Sequence, residues 1–377
     1  MASRTRLLKP QLNIRHLSSQ AIIPKGKKTG KAVAIVTGGG DCPGLNAAIR
    51  AVVRRAAQDH VPTFGVLEGF RGIYEGRMVP LRPIDVSGII GLGGTILGTS
   101  RFNPLRNKDA EKKIKAHMAK KRISCLVNIG GEGTMRLSHA LNRLGIPCIG
   151  VPKTIDNDVW GTDFTFGFDT AVTIATEAID RLHTTAESHN RVMLLEVMGR
   201  YAGWIATYAG IAGGADAILI PEQVFRLSRL IKIIETRKEI GKKFSIVVVS
   251  EDAKILLDVN TKKPRLLRTP MHHDEYGNVK LGGITHLLEE ELQKSLDMEI
   301  RSTILGYTQR GGSPTPHDRL LATRLGVAAA ELAVKGKTGR MVGLKGTEIY
   351  SLPLAEVAKK LKTVDKKIYR VGEVFFD

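Results

Sequence analysis

Residues 32–57, AVAIVTGGGDCPGLNAAIRAVVRRAA, carry the pattern that decides the fold. Residues 32–37 read as a strand, a glycine-rich loop follows, and 45–57 read as a helix with apolar residues at helical spacing. Apolar runs without polar alternation mark strands covered on both faces, as in a parallel sheet with helices on either side. The pattern recurs. Strands are expected at 63–67, 124–129, 146–151, 192–197, 217–221, 245–250 and 302–307, with helices at 110–121, 134–144, 169–185 and 317–333. This alternation predicts the α/β class. Such sheets bind ligands beyond the carboxyl ends of their strands, so the loops after strands are the place to search.

A length of 377 residues allows two domains or one large α/β unit. Hydrophobic content of 42% with 25% charged residues is that of a globular protein, and no apolar run reaches the ~18 residues of a membrane span. Three cysteines without CxxC spacing fit reduced thiols in the cytoplasm. Net charge is +20; residues 1–31 hold eight Lys or Arg and no acid, which leaves +12 for the remainder. That reads as a basic, flexible extension on a body that handles small polyanions; no aromatic-rich basic segment supports a nucleic-acid platform. The acid-free start MASRTRLLKPQLNIRHLSSQ keeps an organelle transit peptide as the alternative.

The loop TGGGDCPGLN (37–46) could bring backbone N–H groups to an anion at a helix start. It is neither familiar nucleotide loop: the P-loop needs GK[ST] where Gly44-Leu45-Asn46 stand, and Pro43 occupies the third glycine of the dinucleotide fingerprint. That disfavours an NAD-dependent dehydrogenase. After the 124–129 strand comes GGEGT (130–134), where Glu132 offers a carboxylate to a hard cation and Gly133 leaves space. Next, VPKTIDND (151–158) places Asp156 and Asp158 two apart, on one side if the loop is extended. Two nearby carboxylates repel, so a cation, a proton or a catalytic role must account for them. MGRYAGW (198–204) and GYTQRGGSP (306–314) follow two more strands, which Arg191 and Arg301 open. Arginines so placed suit a phosphate monoester. HHDEYGN (272–278) lacks regular ligand spacing and reads as a surface loop rather than a metal cluster.

GGGDCPGLN, GGTILGTSR, GGEGT, PKTIDND, MGRYAGW and GYTQRGGSP stand in the order and spacing of one family: from Lys31 to at least Ala333 the chain resembles the 6-phosphofructokinases. The resemblance implies phosphoryl transfer to the 1-hydroxyl of fructose 6-phosphate, with Mg²⁺, in a homo-oligomer, most often a tetramer, whose subunits share active sites. It makes Asp156 the base, with Arg101, Thr154 and Arg200 at the transferring group. Gly40, Arg101, Phe102, Gly131, Glu132, Gly133 and Thr134 would surround the donor, and Glu132 and Asp158 would hold Mg²⁺. Thr154, Asp156, Asp158, Met198, Gly199, Arg200, Glu251 and Tyr307 would contact the sugar phosphate, with Arg191, Arg301 and Arg310 clamping its 6-phosphate. Neither nucleic acid nor membrane is an expected partner. Arg50, Arg54 and Lys242 match effector-site positions of regulated bacterial members, while His183 and Asp216 replace an arginine and a glutamate.

Glu132 stands where many ATP users carry Asp, and Tyr307 where His is usual. Two positions disagree about the donor. Gly133 resembles ATP users, since an Asp there would repel the α-phosphate; Lys153 resembles pyrophosphate users. A fixed carboxylate excludes ATP more firmly than a flexible Lys admits pyrophosphate, so ATP is the expected donor. The expected fold is two similar lobes, each a mainly parallel sheet flanked by helices, with the active site in the cleft. Residues 32–167 and 309–360 form the donor lobe, and 168–308 with 361–377 the sugar-phosphate lobe. A non-catalytic polyanion-binding protein is the distant alternative.

Overall fold

Continuous Val and Ile runs become strands buried along their whole length at Ala32–Thr37, Val192–Val197 and Ser245–Ser250. The computed structural model describes residues 31–259, 263–267, 272–273, 279–280 and 282–376; the expectations for residues 1–30 and for most of HHDEYGN lie outside them. A seven-stranded sheet runs, edge to edge, Glu348–Pro353, Arg340–Lys345, Cys148–Pro152, Ile123–Gly130, Ala32–Thr37, Thr63–Val66 and Met78–Leu81. Its five central strands are parallel and its two edge strands antiparallel. The second lobe holds a parallel four-stranded sheet in the order Ile300–Ile304, Val192–Val197, Ser245–Ser250, Ala217–Leu219.

The period of two along a strand sorts side chains to the two faces. Val33 and Ile35 enter one hydrophobic cluster, which continues into the second lobe, while Ala32, Ala34 and Val36 enter another under the opposite face. Each fully buried Ile or Leu in these layers contributes roughly 1.5–3 kcal/mol. Helix Leu45–Gln58 buries Leu45, Ile49, Val52, Val53 and Ala56, a stripe at helical spacing, and packs on helix Pro316–Val334. The chain then crosses back. Helix Lys366–Glu373 reaches the second lobe, where the Tyr369 hydroxyl donates to Ile218 O at 2.7 Å. Cys42, Cys125 and Cys148 are buried, unpaired thiols, and burial pushes Cys42 and Cys148 up to about 12. Among the described residues no helix is long and apolar enough to cross a membrane.

Two expectations change in detail. The strand expected over 302–307 ends at Ile304, because Gly306, with φ +50°, turns the chain into a tight 3-10 turn, Gly306–Arg310. The hairpin Arg340–Lys345 and Glu348–Pro353, joined through Gly346 at φ +58°, was not anticipated.

Helix Phe168–His189 starts at Gly167, whose φ of +95° lies in the left-handed region. A Cβ there would stand 2.4 Å from Cys42 Sγ. Gly167→Ala is therefore expected to cost roughly 1–3 kcal/mol of stability, measured as a lower urea midpoint at unchanged slope. A midpoint equal to the parent's would contradict this account.

Candidate active site

Parallel strands deliver their carboxyl ends to one edge, and the loops beyond both sheets line a shared cavity of about 580 Å³ between the lobes. The first lobe contributes Gly40, Arg101, Phe102, Gly131, Glu132, Gly133 and Thr134, with Lys153, Thr154, Asp156 and Asp158 from the loop after Cys148–Pro152. Met198, Arg200, Glu251, Tyr307 and Arg310 line it from the other side.

Thr134 is wedged between two glycines: its Oγ1 would lie 2.7 Å from a Cβ on Gly38 and 2.2 Å from one on Gly130. Both strand ends must therefore be side-chain-free for the loops to close around it. Gly133 differs. Beyond its own helix and chain neighbours, no described residue lies within 4 Å of a Cβ built there, so the described fold does not demand glycine. Lys153 is 3% exposed and its Nζ donates to the Gly40 carbonyl, tying the carboxylate loop to the first glycine loop. Burial lowers its pKa, opposed by the nearby Cys42.

The 154–158 loop is not extended. Asn157 has φ +50°, and this left-handed residue, rather than a strand repeat, brings Asp156 and Asp158 to the same cavity. Asn157 Oδ1 accepts from Thr165 N at 3.1 Å and Lys362 Nζ at 2.9 Å, which holds the turn. Asp156 is 4% exposed; its Oδ2 accepts from Thr154 Oγ1 at 3.2 Å, and its Oδ1 has no hydrogen-bond partner. Asp158 Oδ1 is equally unpartnered. Burial first, then the charges of Asp156 and Glu132, raise Asp158 to about 7.

Two unpartnered acceptors thus stand among repelling carboxylates at the seam of the cavity. Residues 32–333 match the phosphofructokinase family model. The chain belongs to the phosphofructokinase family. It is 49% identical over 346 residues to a pyrophosphate–fructose 6-phosphate 1-phosphotransferase of Streptomyces coelicolor, covering 91% of this chain and 99% of that one. It is also 49% identical over 348 residues to an ATP-dependent 6-phosphofructokinase of Spirochaeta thermophila, covering 89% and 93%. Among solved structures, phosphofructokinase from Saccharomyces cerevisiae superposes with a TM-score of 0.75 at 30% identity, over 92% of this chain and 47% of that one. Equal identity to a pyrophosphate user and an ATP user leaves the donor to be argued from the site.

Three expected phosphofructokinase site residues do not line the cavity. Gly199 lies just behind it, its N–H donating to Glu251 Oε1 at 3.3 Å. Arg191 and Arg301 stand at the amino ends of their parallel strands, with Arg301 in register with Met193. Arg191 stands five residues before Glu196 and Arg301 three before Ile304, which both line the cavity, so roughly 17 and 10 Å of strand lie between. There both pair with Glu299, Arg191 Nε at 2.5 Å from Oε2. Within one chain only Arg310, of the three expected clamp arginines, reaches the pocket. Of the matched effector positions, His183 Nε2 contacts Gly213 O at 2.9 Å, and Asp216 pairs with Arg237 at 2.8 Å while accepting from Ile246 N.

Arg106, Glu196, Tyr201, Ile304 and Leu361 also line the cavity and were missed. Two had a visible signal: Tyr201 lies within MGRYAGW, and Glu196 is a carboxylate inside the apolar run VMLLEV. It accepts from Gly283 N at 2.7 Å, Thr285 N at 3.1 Å and Thr285 Oγ1 at 2.8 Å, and so caps helix Ile284–Gln293.

Glu251, 8% exposed, accepts from Arg200 N at 2.9 Å. Burial raises it from 4.5 to about 7; the Arg200 and Gly199 N–H bonds oppose this and Asp156 adds to it. An acid whose folded pKa stands above its unfolded value holds more protons when folded, so its contribution falls as pH rises from about 4.5 to about 7. Glu251→Gln keeps the acceptor oxygen and removes the charge. The ligand-free variant is expected to exceed the parent in stability at pH 8 by about 1–2 kcal/mol and to converge with it near pH 4. Parallel stability curves across that window, in urea titrations, would refute the assignment.

Proposed function

We propose that this chain transfers the terminal phosphoryl group of ATP to the 1-hydroxyl of fructose 6-phosphate, giving fructose 1,6-bisphosphate. The observation that carries the reading is the buried Asp156 carboxylate, with Oδ1 unpartnered, at the seam between the glycine loops and the sugar-side loops. Such a group can take the proton of a sugar hydroxyl as its oxygen bonds to phosphorus and the donor's bridging bond breaks. Arg101 and Arg200, both at the cavity, would offset the charge of the group in flight. Glu251 would accept sugar hydroxyls.

The residues fit Mg²⁺. Asp158 and Glu132 would hold it, through the unpartnered Asp158 Oδ1 and the Glu132 carboxylate that here pairs with Arg136, and it would neutralise donor phosphate charge. Among the described residues no group of three His, Cys, Asp or Glu forms a metal cage, which suits an ion that takes one or two carboxylates plus phosphate oxygens. Arg191 and Arg301 would complete the 6-phosphate clamp in the pocket of a second copy, hence our reading of a cytoplasmic homotetramer with shared sites.

For the donor, the open space at Gly133 favours ATP. The second reading, pyrophosphate, rests on Lys153 at the same cavity. Its ammonium already donates to Gly40 O, which makes it a brace for the glycine loop in the ATP reading.

Asp156→Asn is expected to lower kcat by roughly 10²–10⁴-fold at nearly unchanged KM for fructose 6-phosphate, in a coupled assay with Mg²⁺. Retention of parental kcat would remove the base assignment. In the same assay ATP should outpace pyrophosphate, and Gly133→Asp should depress ATP use selectively; an equal loss with both donors would refute the steric argument.

A further inference from the structure

The segment before the last helix crosses close behind the carboxylate loop. Leu361 faces the cavity, and its neighbour Lys362 is held on all sides by hydrogen bonds. An ammonium has three N–H donors. Three acceptors surround this one: Asn157 Oδ1 at 2.9 Å, Thr162 O at 3.0 Å and Asp163 O at 2.6 Å. The Lys362 backbone N–H donates to Asp158 O at 2.9 Å. Its carbonyl accepts from Trp204 Nε1 at 3.1 Å, and the Trp204 ring lies 4.9 Å from Nζ. Trp204 opens the helix that directly follows the loop bearing Arg200.

One residue thus contacts the left-handed turn between two carboxylates, the backbone of the second carboxylate, and Trp204, at the start of the helix that follows the arginine loop on the opposite lobe. A non-glycine residue keeps a left-handed backbone only when its surroundings impose it, and Lys362 supplies one of the two donors that pin Asn157. We propose that Lys362 is a positioning residue that aims Asp156 and Asp158 at the cavity and couples that aim to the Arg200 loop. The inference rests on the phosphofructokinase reading above and adds a residue that touches neither substrate.

The test compares the full chain with Lys362→Met, which keeps the stem and removes the donors, and Lys362→Arg, which keeps charge and donors. Initial rates with fructose 6-phosphate and each donor should show kcat of the Met variant lowered roughly 10- to 100-fold. Its KM should move less than about threefold, with the Arg variant recovering most of the loss. Parental kcat in the Met variant, or equal loss in both variants, would overturn the proposal. If the parent itself turns over fructose 6-phosphate with neither donor, the phosphofructokinase reading fails instead. Hydrogen exchange then still decides the role of Lys362: the Met variant should lose amide protection at residues 156–165 and 204–207, and unchanged protection there would overturn it.

Discussion

Repulsion among buried carboxylates is the constraint that the rest of this structure answers. Asp156 at 4% exposure and Glu251 at 8% face a gap that also receives Asp158 and Glu132, and the low dielectric of such a gap magnifies every charge. Leaving an ionised group there without a partner costs several kcal/mol. The chain offsets part of that cost with backbone N–H bonds from Gly199 and Arg200 to Glu251. Asp156 gains one bond, from Thr154 Oγ1, while Asp156 Oδ1 and Asp158 Oδ1 find no hydrogen-bond partner among the described residues. Only a rigid frame can keep such groups from turning towards water, and strands buried along their whole length supply it.

Strand direction does the remaining work. With all four strands of the second sheet parallel, one edge of each lobe collects the loops and the opposite edge collects the strand starts. The glycine loops, carboxylates and Arg200 therefore share the cleft, while Arg191 and Arg301 gather around Glu299 at the far end. A helix that followed a strand by a few residues more or fewer would leave this separation intact, because the polarity of the sheet sets it.

Much of this was legible. Unbroken Val and Ile runs located the central strands because burial on both faces leaves no room for polar alternation, as at Ser245–Ser250. Glycines and charges massed at strand ends located the cavity because close backbone approach and ion binding both need them there. The terminal hairpin at Arg340–Lys345 was not read, since MVGLKGTEIYSL mixes apolar and polar residues as an edge of the sheet permits. The turn at Asn157 defeated the expectation of an extended loop because the two donors to its Oδ1 lie 8 and 205 residues away, at Thr165 and Lys362. Contacts of that range leave no periodic trace. Leu361, which lines the cavity, was missed for the same reason.

The empty space around Gly133 bears on how such enzymes diverge. A position that the packing does not need to keep bare can gain or lose a carboxylate without the chain first passing through a poorly folded ancestor. If donor choice rests on this position, as proposed above, selection on fuel supply could act there without disturbing the fold. Lineages would exchange nucleotide for inorganic currency while the rest of their sequence drifted at its own pace. Two relatives named for different donors each share 49% of their aligned residues with this chain, so overall identity does not follow the donor.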